Sequence, residues 1–255
     1  MSPVLKDKVA IITGASRGLG KAFALRFAEE GAKLLLTTTS LERAEGAAKE
    51  IKTKGGEVTF IKADISIAGD VQKIAEKVMQ QYGRVDILIN NAAIWFGIRA
   101  KPWHTWTEEE WDRIFDVNVK GTWMVCKAIA PLMMEQKRGK IVNIASNVAR
   151  VPGAPFFMPY SCGKGALYTM THALAHALGP FNINVNAIGP GLTATEASLD
   201  MSGPDKSFKA ATSGQSIPRR EEPEDLVGAA VFLASADSDF ISGQVIYVDG
   251  GTVML

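Results

Sequence analysis

Tyr160 and Lys164 stand four apart in the run Tyr160-Ser161-Cys162-Gly163-Lys164, within a segment of helical patterning over 160–179. On a helix that spacing sets both side chains on one face. A phenol with an ordinary pKa of ~10 is a poor acid or base near neutral pH. A neighbouring ammonium stabilises the phenolate and lowers that value. The pair can then give a proton to a developing alkoxide, or take one from an alcohol. Tyr and Lys meet at this spacing often by chance, so the pair alone does not establish the chemistry. His172 and His176 share the same spacing, but Ala173 stands where a zinc-protease helix needs its glutamate. No third ligand with metal spacing is evident, so no metal is expected and a partly buried or subunit-interface pair is the better reading. Cys162 points away from Tyr160 at i+2 and reads as inert packing.

Strand-length apolar runs occur at 9–13, 33–37, 58–63, 86–90, 140–145, 182–187 and 244–248. The first, Val9-Ala10-Ile11-Ile12-Thr13, shows no polar alternation, as expected of a parallel strand covered on both faces. Helical patterns lie between the runs, near 19–30, 41–54, 70–82, 108–136, 160–179 and 223–235. This alternation predicts an α/β fold: a Rossmann-type, doubly wound, parallel seven-stranded sheet with helices on both faces. No repeat or linker divides residues 1–255, so one domain is expected. The irregular stretch 189–218 follows a strand and should emerge at the carboxyl edge of the sheet, where ligands bind in open α/β folds. It is read as a binding loop, a lid over about 190–217.

Thr13-Gly14-Ala15-Ser16-Arg17-Gly18-Leu19-Gly20 follows the first strand and opens the first helix. Glycines let the backbone turn tightly and approach a pyrophosphate, whose charge the helix N-terminus favours. Glycines also simply join strands to helices, but this position directly after an apolar N-terminal strand favours a nucleotide. Together with Asp64, Asn90-Asn91-Ala92, Asn118, Ser146, Tyr160, Lys164, Pro190-Gly191, Thr193 and the terminal Val248-Asp249-Gly250-Gly251, the turn resembles the short-chain dehydrogenase/reductase family over essentially the whole chain. Ala93 departs from the pattern, where the family usually has a second glycine.

The resemblance implies an oxidoreductase that moves hydride between a nicotinamide cofactor and a ketone or secondary alcohol. Asn118, Ser146, Tyr160 and Lys164 would be its catalytic residues. Ser146 would orient the substrate oxygen, Lys164 would also bond the nicotinamide ribose, and Asn118 would hold a relay water. Cofactor contacts are implied at Gly14, Ser16, Arg17, Gly18, Leu19, Gly20, Thr37, Thr38, Asp64, Ile65, Asn91, Ala92, Ala93, Tyr160, Lys164, Pro190, Gly191, Leu192 and Thr193. The bland alternative for Asp64, a solvated or helix-capping carboxylate, is the weaker reading. Substrate contacts are implied at Ser146, Trp95, Phe96, Phe156, Phe157 and Leu192, which suggests a small apolar or aromatic molecule. The alternatives are a 3-oxoacyl-carrier-protein reductase and a catalytically silent cofactor-sensing or scaffold protein. The latter is disfavoured by the four intact residues.

The second strand ends Leu36-Thr37-Thr38-Thr39-Ser40 with no acid before Glu42. An NAD enzyme usually places an acid there to meet the ribose 2′-hydroxyl. Hydroxyls and Arg17 suit a 2′-phosphate instead, so NADP(H) is the expected cofactor, with NAD(H) the alternative. Lys and Arg total 28 against 27 Asp and Glu, a net charge of +1. That balance gives no broad field for nucleic acid or an anionic membrane. No run approaches the ~18 apolar residues of a membrane span, and no signal-peptide stretch opens the chain. Cys126 and Cys162 are read as two buried reduced thiols, which fits a cytoplasmic protein. The four residues Arg219-Arg220-Glu221-Glu222 are read as a solvated approach to the last helix, and Trp103, Trp106 and Trp111 as core or interface packing. Trp123, Met124, Val125, Ile129 and Leu132 spread beyond one helical stripe, which together with the family resemblance implies a homotetramer.

Overall fold

The computed structural model describes residues 3–95, 97–151, 155–200 and 204–254. Seven strands form one parallel sheet: β1 (Val9–Ile12), β2 (Lys33–Thr38), β3 (Val58–Lys62), β4 (Ile87–Asn90), β5 (Gly139–Ile144), β6 (Ile183–Pro190) and β7 (Val245–Val248). Their order is β3-β2-β1-β4-β5-β6-β7, so the chain winds outward from β1 in one direction and then from β4 in the other. The connections that leave the paired ends of β1 and β4 thus run in opposite directions, and the crevice between them is the place where ligands enter such sheets.

The central strands β1, β4 and β5 are buried along their whole length. That burial explains the unbroken Val, Ile and Leu runs. One face is sealed by α1 (Gly18–Glu29), α2 (Leu41–Thr53) and α9 (Pro223–Ala234), around Phe23, Phe27 and Leu226. The other face is sealed by α3 (Ala68–Tyr82), α5 (Thr122–Gln136) and α6 (Met158–Leu178), around Ile74, Ile129 and Leu178. The helix expected over 108–136 is continuous but not uniform. It begins as α4 (Glu108–Phe115), which Thr107 and Glu110 open with a reciprocal capping box. It then widens to a π-helical turn at Asp116–Gly121 before continuing as α5. The stretch expected to be irregular contains two short helices, α7 (Glu196–Leu199) and α8 (Pro204–Ser213), and β6 runs on to Pro190.

Candidate functional site

A cleft of about 1660 Å³ opens at the carboxyl ends of the strands, between the glycine turn, the ends of β4 and β5, and the lid. Its floor is tied together by neutral hydrogen bonds. Asn91 Nδ2 donates to the carbonyls of Thr13 (2.9 Å) and Gly14 (3.1 Å). The backbone N–H groups of Asn91 and Ala92 both donate to Thr13 Oγ1 at 3.0 Å. Gly20 faces this strut: a Cβ there would lie 2.4 Å from the Gly14 carbonyl oxygen and 2.5 Å from Asn91 Nδ2. No other residue fits that approach without moving backbone.

At the start of α1 the Gly18 N–H donates to Glu196 Oε2 of the lid, at 3.0 Å. A carboxylate therefore sits where the helix N-terminus attracts negative charge. It is a stand-in showing that the turn accepts an anion, as the pyrophosphate of a dinucleotide would require. Beyond the turn, the cleft is lined by Thr37, Thr38, Ser40 and two guanidinium groups, Arg17 and Arg43. Burial and the like charge of Arg43 lower the Arg17 pKa, with Glu196 acting the other way. Thr38 Oγ1 donates to the Ser40 carbonyl and accepts from the Ser40 N–H, both at 3.0 Å, and so shapes the turn after β2.

In the middle of the cleft, Ser146, Tyr160 and Lys164 come together from the end of β5 and the first turns of α6. Lys164 is 3% exposed, and its Nζ donates to the Ile144 carbonyl at 2.6 Å. Burial lowers its pKa to about 7. Burial also pushes the Tyr160 phenol above its ordinary value, and the facing Ser146 hydroxyl opposes that shift. The ammonium lies 5.6 Å from the centre of the Tyr160 ring. Trp95 packs on the other side, 4.8 Å from the Tyr160 ring and 5.4 Å from that of Phe157. Tyr168, one turn beyond Lys164, donates from its hydroxyl to the Ser146 carbonyl and holds the β5 end in place.

All the cofactor and substrate positions inferred from sequence line this one cleft, except Phe96, which lies outside the described residues. Asn118 lies behind the wall, 1% exposed, in the π-helical turn. Its Oδ1 accepts from the Ile94 N–H (2.7 Å) and its Nδ2 donates to the Ile94 carbonyl (3.2 Å), which clamps the segment after β4. Asp64 Oδ1 accepts from the N–H and hydroxyl of Ser66, at 2.9 and 2.7 Å.

Cys162 is exposed rather than buried, because its side of α6 faces away from the sheet; only Cys126 is buried. Glu221 is not solvated: it is 5% exposed and accepts from Gly191 and Thr193. His172 and His176 are exposed rather than partly buried in the single chain. Arg43 and Glu196 were not singled out from sequence. Nothing in their local patterns marks them, since each acts through a contact with a distant segment.

No group of three or more His, Cys, Asp or Glu among the described residues could hold a metal ion, and no described helix is long and apolar enough to cross a membrane. A family model described as enoyl-(acyl carrier protein) reductase matches residues 14–253. The chain belongs to the short-chain dehydrogenase/reductase family. The 3-oxoacyl-(acyl-carrier-protein) reductase FabG of Thermotoga maritima is 36% identical over 250 residues, covering 98% of this chain and 99% of that one. Galactitol 2-dehydrogenase of Agrobacterium fabrum is 38% identical over 260 residues, covering 98% and 99%. The crystal structure of levodione reductase superposes with a TM-score of 0.90 at 30% identity, covering 96% of this chain and 97% of that one. This short-chain dehydrogenase/reductase is an oxidoreductase of CH–OH groups that uses a nicotinamide cofactor.

Proposed function

We propose that the chain is an NADPH-preferring carbonyl reductase, or the matching alcohol dehydrogenase, for small apolar or aromatic substrates. The observation that carries this reading is an aromatic wall in which Trp95 packs against the ring of Tyr160 and Phe157 packs against Trp95. An apolar surface beside the proton donor favours a substrate whose carbonyl carries an apolar body. At the rim, Arg99 and Arg113 are balanced by Glu109, Asp112 and Asp116. The mouth therefore offers no net basic patch for an acidic carrier protein, which favours a free substrate.

When bound, the nicotinamide supplies or accepts the hydride. The chain's own residues supply orientation and the proton. Ser146 donates to the substrate oxygen, and Tyr160 gives its proton to the alkoxide that develops there. Burial holds Tyr160 as the neutral phenol, the form needed to donate. Lys164 would hold the nicotinamide ribose and replenish charge next to the phenol, and Asn118 would serve the proton relay behind it. Gly14, Ser16, Gly18, Leu19 and Gly20 would carry the pyrophosphate. Asp64, Ile65, Asn91, Ala92 and Ala93 would carry the adenosine, and Pro190 to Thr193 the nicotinamide. Arg17 and Arg43 supply two positive charges for a 2′-phosphate.

The enzyme would act as a homotetramer in the cytoplasm. Support comes from α5, where Trp123 is 46% exposed in the single chain. The test is a panel of aryl and cyclic ketones, polyols and acyl thioesters with NADPH and NADH, followed by absorbance. Aryl or cyclic ketones with NADPH should give the highest kcat/KM, and Arg17→Ala should narrow the NADPH preference. A polyol or thioester far ahead of the ketones would overturn the substrate reading. Equal or better rates with NADH would overturn the cofactor preference.

A further inference from the structure

Glu221 belongs to the approach to α9, yet its carboxylate turns inward beneath the start of the lid. Oε2 accepts from the Gly191 N–H at 3.0 Å and Oε1 accepts from Thr193 Oγ1 at 2.5 Å. The backbones also meet: Thr193 and Glu221 form a parallel bridge, and the Ala194 N–H donates to the Glu221 carbonyl at 2.8 Å. The approach is close enough that a Cβ at position 191 would stand 2.7 Å from Oε2. Thr193 itself is 6% exposed and lines the cleft.

Proton bookkeeping follows from this geometry. A hydroxyl has one hydrogen to give and two lone pairs, and an ionised carboxylate can only accept. With Glu221 ionised, the Thr193 hydrogen is committed to it, and only lone pairs remain for the cleft. We propose that Glu221 is a positioning residue that sets the direction of the Thr193 hydroxyl, making Thr193 an acceptor for the carboxamide N–H₂ of the nicotinamide. The inference rests on the cofactor reading given above and goes beyond it, because it assigns the donor–acceptor polarity of that contact to a residue remote in sequence from both fingerprints.

The arrangement is sensitive to pH. Burial raises the Glu221 pKa to about 7, with Asp249 and Asp225 adding like charge and the bonds from Thr193 and Gly191 opposing the shift. Asp249, at the end of β7, accepts from the N–H groups of Gly251, Thr252 and Val253 and from Asn147 Nδ2. Asp225, in the first turn of α9, is paired with Arg219 through two bonds of 2.6 Å. Below about pH 7 the acid carries its own proton. The Gly191 N–H lies closer to Glu221 Oε2 (3.0 Å) than to its other acceptor, the Val248 carbonyl (3.4 Å), so Oε2 keeps accepting and the proton sits on Oε1, which gives it to Thr193 Oγ1. The Thr193 hydrogen then turns into the cleft, where it opposes a carboxamide donor. Cofactor binding by the wild type therefore strengthens as pH rises through 7.

Glu221→Gln separates this role from a merely structural one. Its amide oxygen can accept from Gly191 and its N–H₂ must then face Thr193, which copies the protonated acid at every pH. The experiment titrates wild type, Glu221→Gln, Thr193→Val and Thr193→Ser with NADPH and with NADH from pH 6 to 8.5, reading nucleotide fluorescence. Lys164 also titrates near this range but is common to all four proteins, so the comparison cancels it. At pH 8.5 the Glu221→Gln protein should bind up to about tenfold more weakly than wild type, the scale of one lost hydrogen bond. The gap should close towards pH 6. The loss should appear in the cofactor KM rather than in kcat. Thr193→Val should show the same loss whatever occupies position 221, and Thr193→Ser should restore the wild-type profile. Should Glu221→Gln melt at a lower temperature, the Thr193 pair carries the test alone. Parallel pH profiles for wild type and Glu221→Gln, or for wild type and Thr193→Val, overturn the proposal. A wild type that binds neither nucleotide saturably would instead overturn the cofactor reading beneath it.

Discussion

The two walls of the cleft are built from different chemistry. The floor, between β1 and β4, is tied by amide and hydroxyl groups: Thr13, Gly14, Asn91 and Ala92 exchange bonds that involve no charge. The lid is held by carboxylates: Glu221 on Gly191 and Thr193, and Glu196 on the Gly18 N–H. Neutral bonds between buried strand ends are indifferent to pH and salt and fix the floor before any ligand arrives. Charged contacts at the edge of the cleft can be titrated, screened or displaced. One wall thus supplies preorganised geometry, and the other supplies the contacts that can respond to conditions and to the cofactor.

Tyr160→Phe probes the chemistry that the fixed side supports and should have the largest effect. Turnover should fall by at least ~100-fold, since the ring still packs but its proton is gone. Affinity for NADPH, measured by fluorescence, should change little, and near-native turnover would refute the assignment. Gly20→Ala attacks the floor itself. Its methyl group would meet backbone at Gly14, so a loss of ~1–3 kcal/mol in stability is expected, the usual scale of overpacking. Thermal unfolding and loss of nucleotide binding should report it together; an unchanged melting temperature would mean that the floor is softer than its bonds suggest. Glu196→Gln acts on the lid and should have the smallest effect, in the opposite direction. Removing an exposed charge from the Gly18 N–H should tighten NADPH binding by about two- to threefold, within the ~0.2–1 kcal/mol of exposed charge pairs. Salt should erase the difference, and weaker binding by the variant would show that Glu196 assists rather than competes.

The same division governs what could be read in advance. The floor and the placing of Tyr160 beside Lys164 were legible because they follow local rules: apolar runs for strands, glycines for a tight turn, and a four-residue spacing on one helix. The strand limits expected from sequence match those observed to within a residue or two, except that β6 extends to Pro190. The lid contacts were not legible. Glu221 sits in a run of four charged residues, and only the crossing of 190–195 over 221 turns that one side chain inward. Arg43 lies on α2 with no local signal, and its importance comes from facing Arg17 across the turn. Asn118 was found, but not the form of the helix that carries it.

That helix form has a consequence for how the gene can change. The π-helical turn at Asp116–Gly121 holds one residue more than the α-helix on either side would need. A one-codon deletion there would let α4 and α5 join as an ordinary helix, with its backbone bonds still closed. It would also rotate one half against the other by about 100°, the angle between successive residues. Asn118 would swing off the backbone of Ile94, and the segment bearing Trp95 would lose its clamp. This stretch of the reading frame therefore tolerates exchange of side chains more readily than loss of length.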